Sequence, residues 1–145
     1  MTVKELLSKK GGELISLESD NTVESAIKTL NNRNISAVIV TDSGKTTGIF
    51  TERDVVKCYV KHEGKSFSDI KLADTITKDL IVAEANEDIA DVMWVMIEKN
   101  IRHIPVVDGG KIIGILSIRD LLKTQLSKLE AEIHYLKDYI AGANY

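Results

Sequence analysis

The sequence repeats itself. Displaced by 66 residues, the 145-residue chain matches itself without a gap. Residues 34–57 read NISAVIVTDSGKTTGIFTERDVVK, and residues 100–123 read NIRHIPVVDGGKIIGILSIRDLLK. Eleven of these 24 positions are identical, where composition alone gives about one or two. Upstream, Leu14 and Ile15 meet Leu80 and Ile81, and Glu18 meets Glu84. Val23, Ala26, Ile27 and Leu30 meet Ile89, Val92, Met93 and Met96. That apolar set follows helical spacing, the mark of a face turned to a core. A chain with this period is expected to fold as two copies of one unit. One unit of about 60 residues is marginal alone, so the copies are expected to pack sheet to sheet over a shared core.

Each copy has the same plan. A short strand (14–17; 80–83) leads into a helix that opens at Asn21-Thr22 or Asp20 in the first copy and near Glu87-Asp88 in the second, each supplying cap side chains. A β-branched run follows (35–41; 103–107), then a turn at Asp42-Ser43-Gly44 or Asp108-Gly109-Gly110. A second strand (46–50; 111–116) ends just before a second helix. The fold class is therefore mixed α and β (α/β, in the α+β sense): two pseudo-symmetric β-α-β-β-α repeats. The expected divisions are a first repeat at 1–62, a linker at 63–71, a second repeat at 72–123 and a helical extension at 124–145.

Composition narrows the function classes. Apolar residues at 43%, charged residues at 28% and a net charge of −3 describe a globular chain, not a disordered one. A pI near 5.6 provides no general attraction to nucleic acid or anionic lipid, and neither is expected as a partner. No apolar run approaches the roughly 20 residues of a membrane span. Residues 1–12 do not form a signal peptide, because Glu5 and Lys9-Lys10-Gly11-Gly12 interrupt any apolar stretch. The lone Cys58 fits a reducing, cytoplasmic setting and reads as a small structural side chain. Gly44-Lys45-Thr46 lacks the first glycine of a phosphate loop, because position 39 is Ile39. No metal site or catalytic constellation is legible, so the chain is not expected to be an enzyme.

One motif occurs twice. Gly48-Ile49-Phe50-Thr51-Glu52-Arg53-Asp54 is matched by Gly114-Ile115-Leu116-Ser117-Ile118-Arg119-Asp120. A strand ends, a hydroxyl stands at the turn, and a carboxylate follows three residues later on the first helical turn. Glycine admits a close approach of backbone or ligand. A carboxylate can accept both hydroxyls of a ribose, and a helix N-terminus with a neighbouring arginine favours an anion. The same Ser/Thr-x-x-Asp pattern is also a variant of the capping box and needs no ligand. Both functions can share the same residues.

With the hairpin sequence Ile-Pro-Val-Val-Asp at residues 104–108, this doubled motif resembles the CBS domain in its usual tandem pair, over about residues 1–123. The resemblance implies a non-catalytic regulatory module that requires no cofactor. It implies two clefts between the paired domains that bind adenosine compounds: AMP, ADP, ATP, S-adenosylmethionine or NAD. One cleft would take Ser36, Ala37, Val38, Thr51, Arg53 and Asp54, with Lys78 and Leu80 from the stretch 77–80. The other would take Arg102, His103, Ile104, Ser117, Arg119 and Asp120, with Gly12 and Leu14 from the stretch 10–14. Arg102 and His103 give the second cleft a cationic end, so it is expected to bind phosphorylated adenosine more tightly. Asp120→Ala is expected to weaken that binding with little loss of fold.

Two surfaces suggest self-association. Trp94 and Ile97 stand where the first copy has Lys28 and Asn31, on a face expected to point outward. From Arg119 to Ala141 there is no Gly or Pro, and Gly142 stands where a helix stop is expected. Leu122, Leu126, Leu129, Ile133, Leu136 and Ile140 are spaced 4-3-4-3-4, a heptad seam. It can pack back on its own module or bind a second copy. The sequence therefore supports an adenosine-nucleotide sensor, a homodimer whose state an unknown downstream protein reads. The competing function is a homodimeric assembly module with vestigial clefts.

Overall fold

The computed structural model describes residues 1–143. The elements run α1 (Val3–Lys10), β1 (Ser16–Glu18), α2 (Val23–Arg33), β2 (Ala37–Asp42), β3 (Lys45–Thr51) and α3 (Glu52–Lys61), then β4 (Ala83–Glu84), α4 (Ile89–Glu98), β5 (His103–Asp108), β6 (Lys111–Ser117) and α5 (Ile118–Ala143). Two short 3-10 turns, Phe67–Asp69 and Leu72–Asp74, lie between α3 and β4. Each repeat forms a three-stranded sheet, β1-β2-β3 and β4-β5-β6, with a parallel pair followed by an antiparallel hairpin.

The 66-residue period extends to the backbone. The hairpins slip register at Val40/Thr41 and at Val106/Val107, equivalent positions. Asn34 and Asn100 both take left-handed φ, at 52° and 53°. Asparagine tolerates that region because its short side chain bonds locally. The hairpin turns do the same, with Ser43 and Gly44 matched by Gly109 and Gly110. Thr22 accepts the Ser25 N–H at 3.1 Å, and Asp88 accepts the Ala90 N–H at 3.2 Å, which starts α2 and α4 as the sequence predicts.

Sequence order and compact units are different divisions. One unit is Gly12–Ile81; the other joins Met1–Gly11 to the chain from Val82 onward. The cause is α1, an element the repeat comparison does not reveal. Thr2 caps it by accepting the Glu5 N–H at 3.2 Å, and Gly11 at φ 66° ends it. Its apolar Val3 and Leu6 are buried with Ile89, Val92, Met96, Leu116 and Leu121. Two backbone bonds, Val3 N–H to Glu87 O and Lys4 N–H to Ala85 O, fix it there. In the other unit the end of the expected linker and the start of the expected second repeat have the same role. Ile70 and Leu72 enter the core of Val23, Val38, Phe50 and Cys58. The Val23 N–H donates to Ile70 O at 2.8 Å.

The glycines of the doubled motif serve this docking. A Cβ on Gly48 would lie 2.5 Å from the Thr77 carbonyl oxygen and 2.9 Å from Ile76 Cδ1. A Cβ on Gly114 would meet only the tips of Leu7, at 2.6 Å. The close approach is by the chain itself, residues 76–77 at Gly48 and α1 at Gly114. α5 also runs further than expected: Gly142 does not stop it, because glycine ends a helix by taking a left-handed backbone, and Gly142 is absent from the positive-φ glycines.

Gly48→Ala is expected to cost about 1–3 kcal/mol, because a backbone carbonyl must move. Gly114→Ala is expected to cost clearly less, because a leucine can change rotamer. Urea midpoints of the two variants check the order.

Candidate functional site

At the end of each sheet the last strand turns directly into a helix. The turn is held in the same way twice. In the first unit the Glu52 N–H donates to Ser36 O at 3.2 Å; in the second the Ile118 N–H donates to Arg102 O at 2.8 Å. The Thr51 N–H and hydroxyl donate to Asp54 Oδ2 at 2.9 and 3.2 Å. The Ser117 N–H donates to Asp120 Oδ2 at 2.8 Å, and Ser117 Oγ accepts the Asp120 N–H at 3.1 Å. Both motifs are therefore capping boxes, and each box holds its carboxylate at the strand end.

The two acids differ in what else they meet. Asp54 is buried, at 4% exposure. Its Oδ1 accepts the Thr77 hydroxyl at 3.4 Å. Thr77 is placed by a backbone bridge to Ile49, with N–H···O distances of 3.1 and 3.2 Å. Asp120 keeps a quarter of its side chain exposed and pairs with Lys10 Nζ at 2.8 Å. The ammonium also donates to Ile115 O at 3.2 Å, the repeat equivalent of Ile49. So a hydroxyl on a backbone bridge satisfies one acid, and an ammonium from α1 satisfies the other. The Ser117 N–H and the Lys10 ammonium both meet the Asp120 carboxylate at Oδ2.

Charge follows from this geometry. Burial pushes the Asp120 carboxyl up. The Lys10 hydrogen bond, the Ser117 N–H, the Lys10 charge and the Ser117 hydroxyl outweigh burial and hold it below the ordinary aspartate value. Burial, then the Asp54 charge, push the Cys58 thiol up, against a weaker pull from Lys61. The thiolate is disfavoured, and Cys58, 2% exposed, sits in the core.

Several expected site residues gather at these turns. Ala37 stands opposite Thr51 in the β2–β3 register, with Ser36 just ahead of it; His103 stands opposite Ser117, with Arg102 ahead of it. Arg53 is half-buried on the first turn of α3, and Arg119 is exposed on α5. Val38 and Ile104 are different. They turn into their hydrophobic cores at 0% and 1% exposure, because alternate strand residues face opposite sides. The residues that touch the acids are Thr77 and Lys10, the first positions of the two expected stretches, 77–80 and 10–14. Lys78 is exposed and Leu80 half-buried on the same stretch as Thr77, while Gly12 and Leu14 belong to the compact unit that does not contain Asp120. Lys10 had a legible signal, a basic residue in the last turn before Gly11-Gly12, where cations favour a helix C-terminus. A shallow depression between α2 and α3, lined by Ile27, Leu30, Glu52 and Val55 among others, includes none of the candidate residues.

The doubled turn and its paired acids agree with a comparison across known proteins. The CBS domain family model matches residues 3–61 and 68–127. The chain belongs to the CBS family. Among curated relatives it is 29% identical, over 97% of its length, to the mitochondrial CBS domain-containing protein CBSX3 of Arabidopsis thaliana, and covers 72% of that protein. It spans 41% to 63% of the length of the next three. A solved CBS-domain protein of Agrobacterium tumefaciens is 34% identical, with a TM-score of 0.80 over 86% of this chain and 99% of that one. The CBS domain pair of protein MJ0100, solved with 5′-methylthioadenosine and S-adenosyl-L-methionine, is 26% identical, with a TM-score of 0.76 over 88% of this chain and 98% of that one. Among the described residues no helix is long and apolar enough to cross a membrane.

Lys10→Met is expected to raise the Asp120 pKa toward the ordinary value, read by carboxyl NMR titration. Near neutral pH the variant should be less stable by about 0.2–1 kcal/mol, because the pair is partly exposed. A depressed carboxylate pKa stabilises the fold above the unfolded value, and that stability is lost as pH falls through the folded one. The gap between variant and parent should therefore close in acid.

Proposed function

We propose that this CBS pair is a non-catalytic regulatory module that binds an adenosine compound at the Asp120 turn, and more weakly or not at all at the Asp54 turn. The observation that carries this reading is the difference between the two carboxylates. Asp54 has both oxygens engaged and almost no exposure, whereas Asp120 keeps a quarter of its side chain exposed, within reach of an outside donor. A ribose hydroxyl is such a donor. Lys10, Arg102 and the His103 position bring positive charge to the same turn, which suits a phosphate or a sulfonium ligand's carboxylate. The pair of protein MJ0100, with its two adenosine ligands, supports the ligand class. Within that class, AMP, ADP and ATP suit the cationic surroundings best, with S-adenosylmethionine and NAD as further candidates. A reducing, cytoplasmic setting agrees with the lone thiol.

The second reading is a homodimeric assembly module. Trp94 and Ile97 favour it: α4 buries Ile89, Val92 and Met96 but leaves these two at 61% and 51% exposure. Tryptophan is enriched among interface anchors. A sensor that is also a homodimer satisfies both observations, with a downstream protein reading the ligand-dependent state.

The test is a thermal-shift panel with AMP, ADP, ATP, S-adenosylmethionine, 5′-methylthioadenosine and NAD. A ligand at 100 times its Kd is expected to stabilise one site by about 2.7 kcal/mol. Asp120→Asn is the variant of choice, because alanine would also remove the capping-box acceptor of the Ser117 N–H. The amide keeps an acceptor for the Ser117 N–H and should weaken binding about 10- to 100-fold. Wild-type affinity in Asp120→Asn would exclude this turn as the binding site. No shift with any compound would leave the assembly reading in its place.

A further inference from the structure

We propose that α5 pairs with α5 of a second copy as a parallel two-stranded coiled coil. The proposal deepens the homodimer reading by assigning the contact. At its base, Leu121 is fully buried in the unit's core. From Leu126 to Gly142 every residue is exposed. The six seam residues, Leu122, Leu126, Leu129, Ile133, Leu136 and Ile140, are between 42% and 61% exposed. Most helical stability in proteins comes from packing an apolar face, and among the described residues this seam is left largely exposed.

The identity of the occupant follows from the heptad. Leu122, Leu129 and Leu136 fall on d; Leu126, Ile133 and Ile140 fall on a. Isoleucine at a with leucine at d favours two parallel strands. The flanking positions agree. Position e carries Lys123, Glu130 and Lys137, and position g carries Gln125, Glu132 and Tyr139. In a parallel pair each g residue faces the next e residue across the seam, so Glu132 meets Lys137 of the partner subunit, twice by symmetry. In the antiparallel register that aligns all six layers, Lys123 would face Lys137 of the partner subunit. Glu130 and Glu132 would each face their own copies. The pattern is complementary only to itself, and only in parallel.

Light scattering of the full chain is expected to give twice the 16.0 kDa chain mass. Ile133→Asp should give a monomer with an unchanged thermal unfolding profile for the two units, because the side chain touches neither core. Glu132→Lys should weaken the dimer about 10-fold, and Glu132→Lys combined with Lys137→Glu should restore it. Oxidised Leu136→Cys should cross-link to itself, since only parallel strands bring position 136 opposite its own copy; the buried Cys58 serves as the internal control. A dimer indifferent to Ile133→Asp but lost in Trp94→Asp would overturn the coiled coil and keep the homodimer. A dimer lost in Ile133→Asp without charge-swap rescue or cross-link would overturn the parallel arrangement. A wild-type monomer at high micromolar concentration would overturn both, while leaving the ligand-binding reading to its own test.

Discussion

A helix that starts where a strand stops has four N–H groups without partners. This chain satisfies two of them at each turn by exchange: the hydroxyl residue's N–H donates to the carboxylate three residues on, and its hydroxyl accepts the N–H there. Asp54 and Asp120 thereby fix the angle at which α3 and α5 leave their sheets. The same bonds fix where each carboxylate stands. Local stability and candidate chemistry are therefore one arrangement, and the identity of the ligand question reduces to what each carboxylate has left to offer.

What it has left depends on a segment far away in sequence. Thr77 comes to Asp54 because its backbone bridges Ile49, and Gly48 leaves room for that bridge. Lys10 comes to Asp120 because α1 docks on the other sheet, with Leu7 over Gly114. The two repeats thus share a motif but differ in electrostatics. A neutral hydroxyl closes one carboxylate; a salt bridge, which ligand or acid can compete for, holds the other.

Much of this was legible in the sequence. The 66-residue period, the caps at Thr22 and Asp88, the hairpin turns and the hydroxyl–acid spacing all have short-range causes, and short-range causes are written in adjacent residues. The α1 helix was less so. It falls outside the repeat comparison, and eight residues carry little periodicity, although Thr2 and Gly11 mark its ends. Which sheet it joins is a long-range choice made by Val3, Leu6 and the bonds to Ala85 and Glu87, and no local pattern encodes it. Val38 and Ile104 turn their side chains into the cores for a related reason: nearness to the motif along the chain says nothing about which side of a strand faces the core.

One compact unit is assembled from residues 1–11 and from residues beyond 81. During synthesis the first unit, residues 12–81, can complete itself while α1 has nothing to dock on. Val3, Leu6 and Leu7 must wait, apolar and uncovered, until β4, α4 and the β5–β6 hairpin have emerged. Until then a nascent chain carries this apolar segment uncovered. A chain cut at the boundary between the repeats would separate that helix from the sheet that receives it.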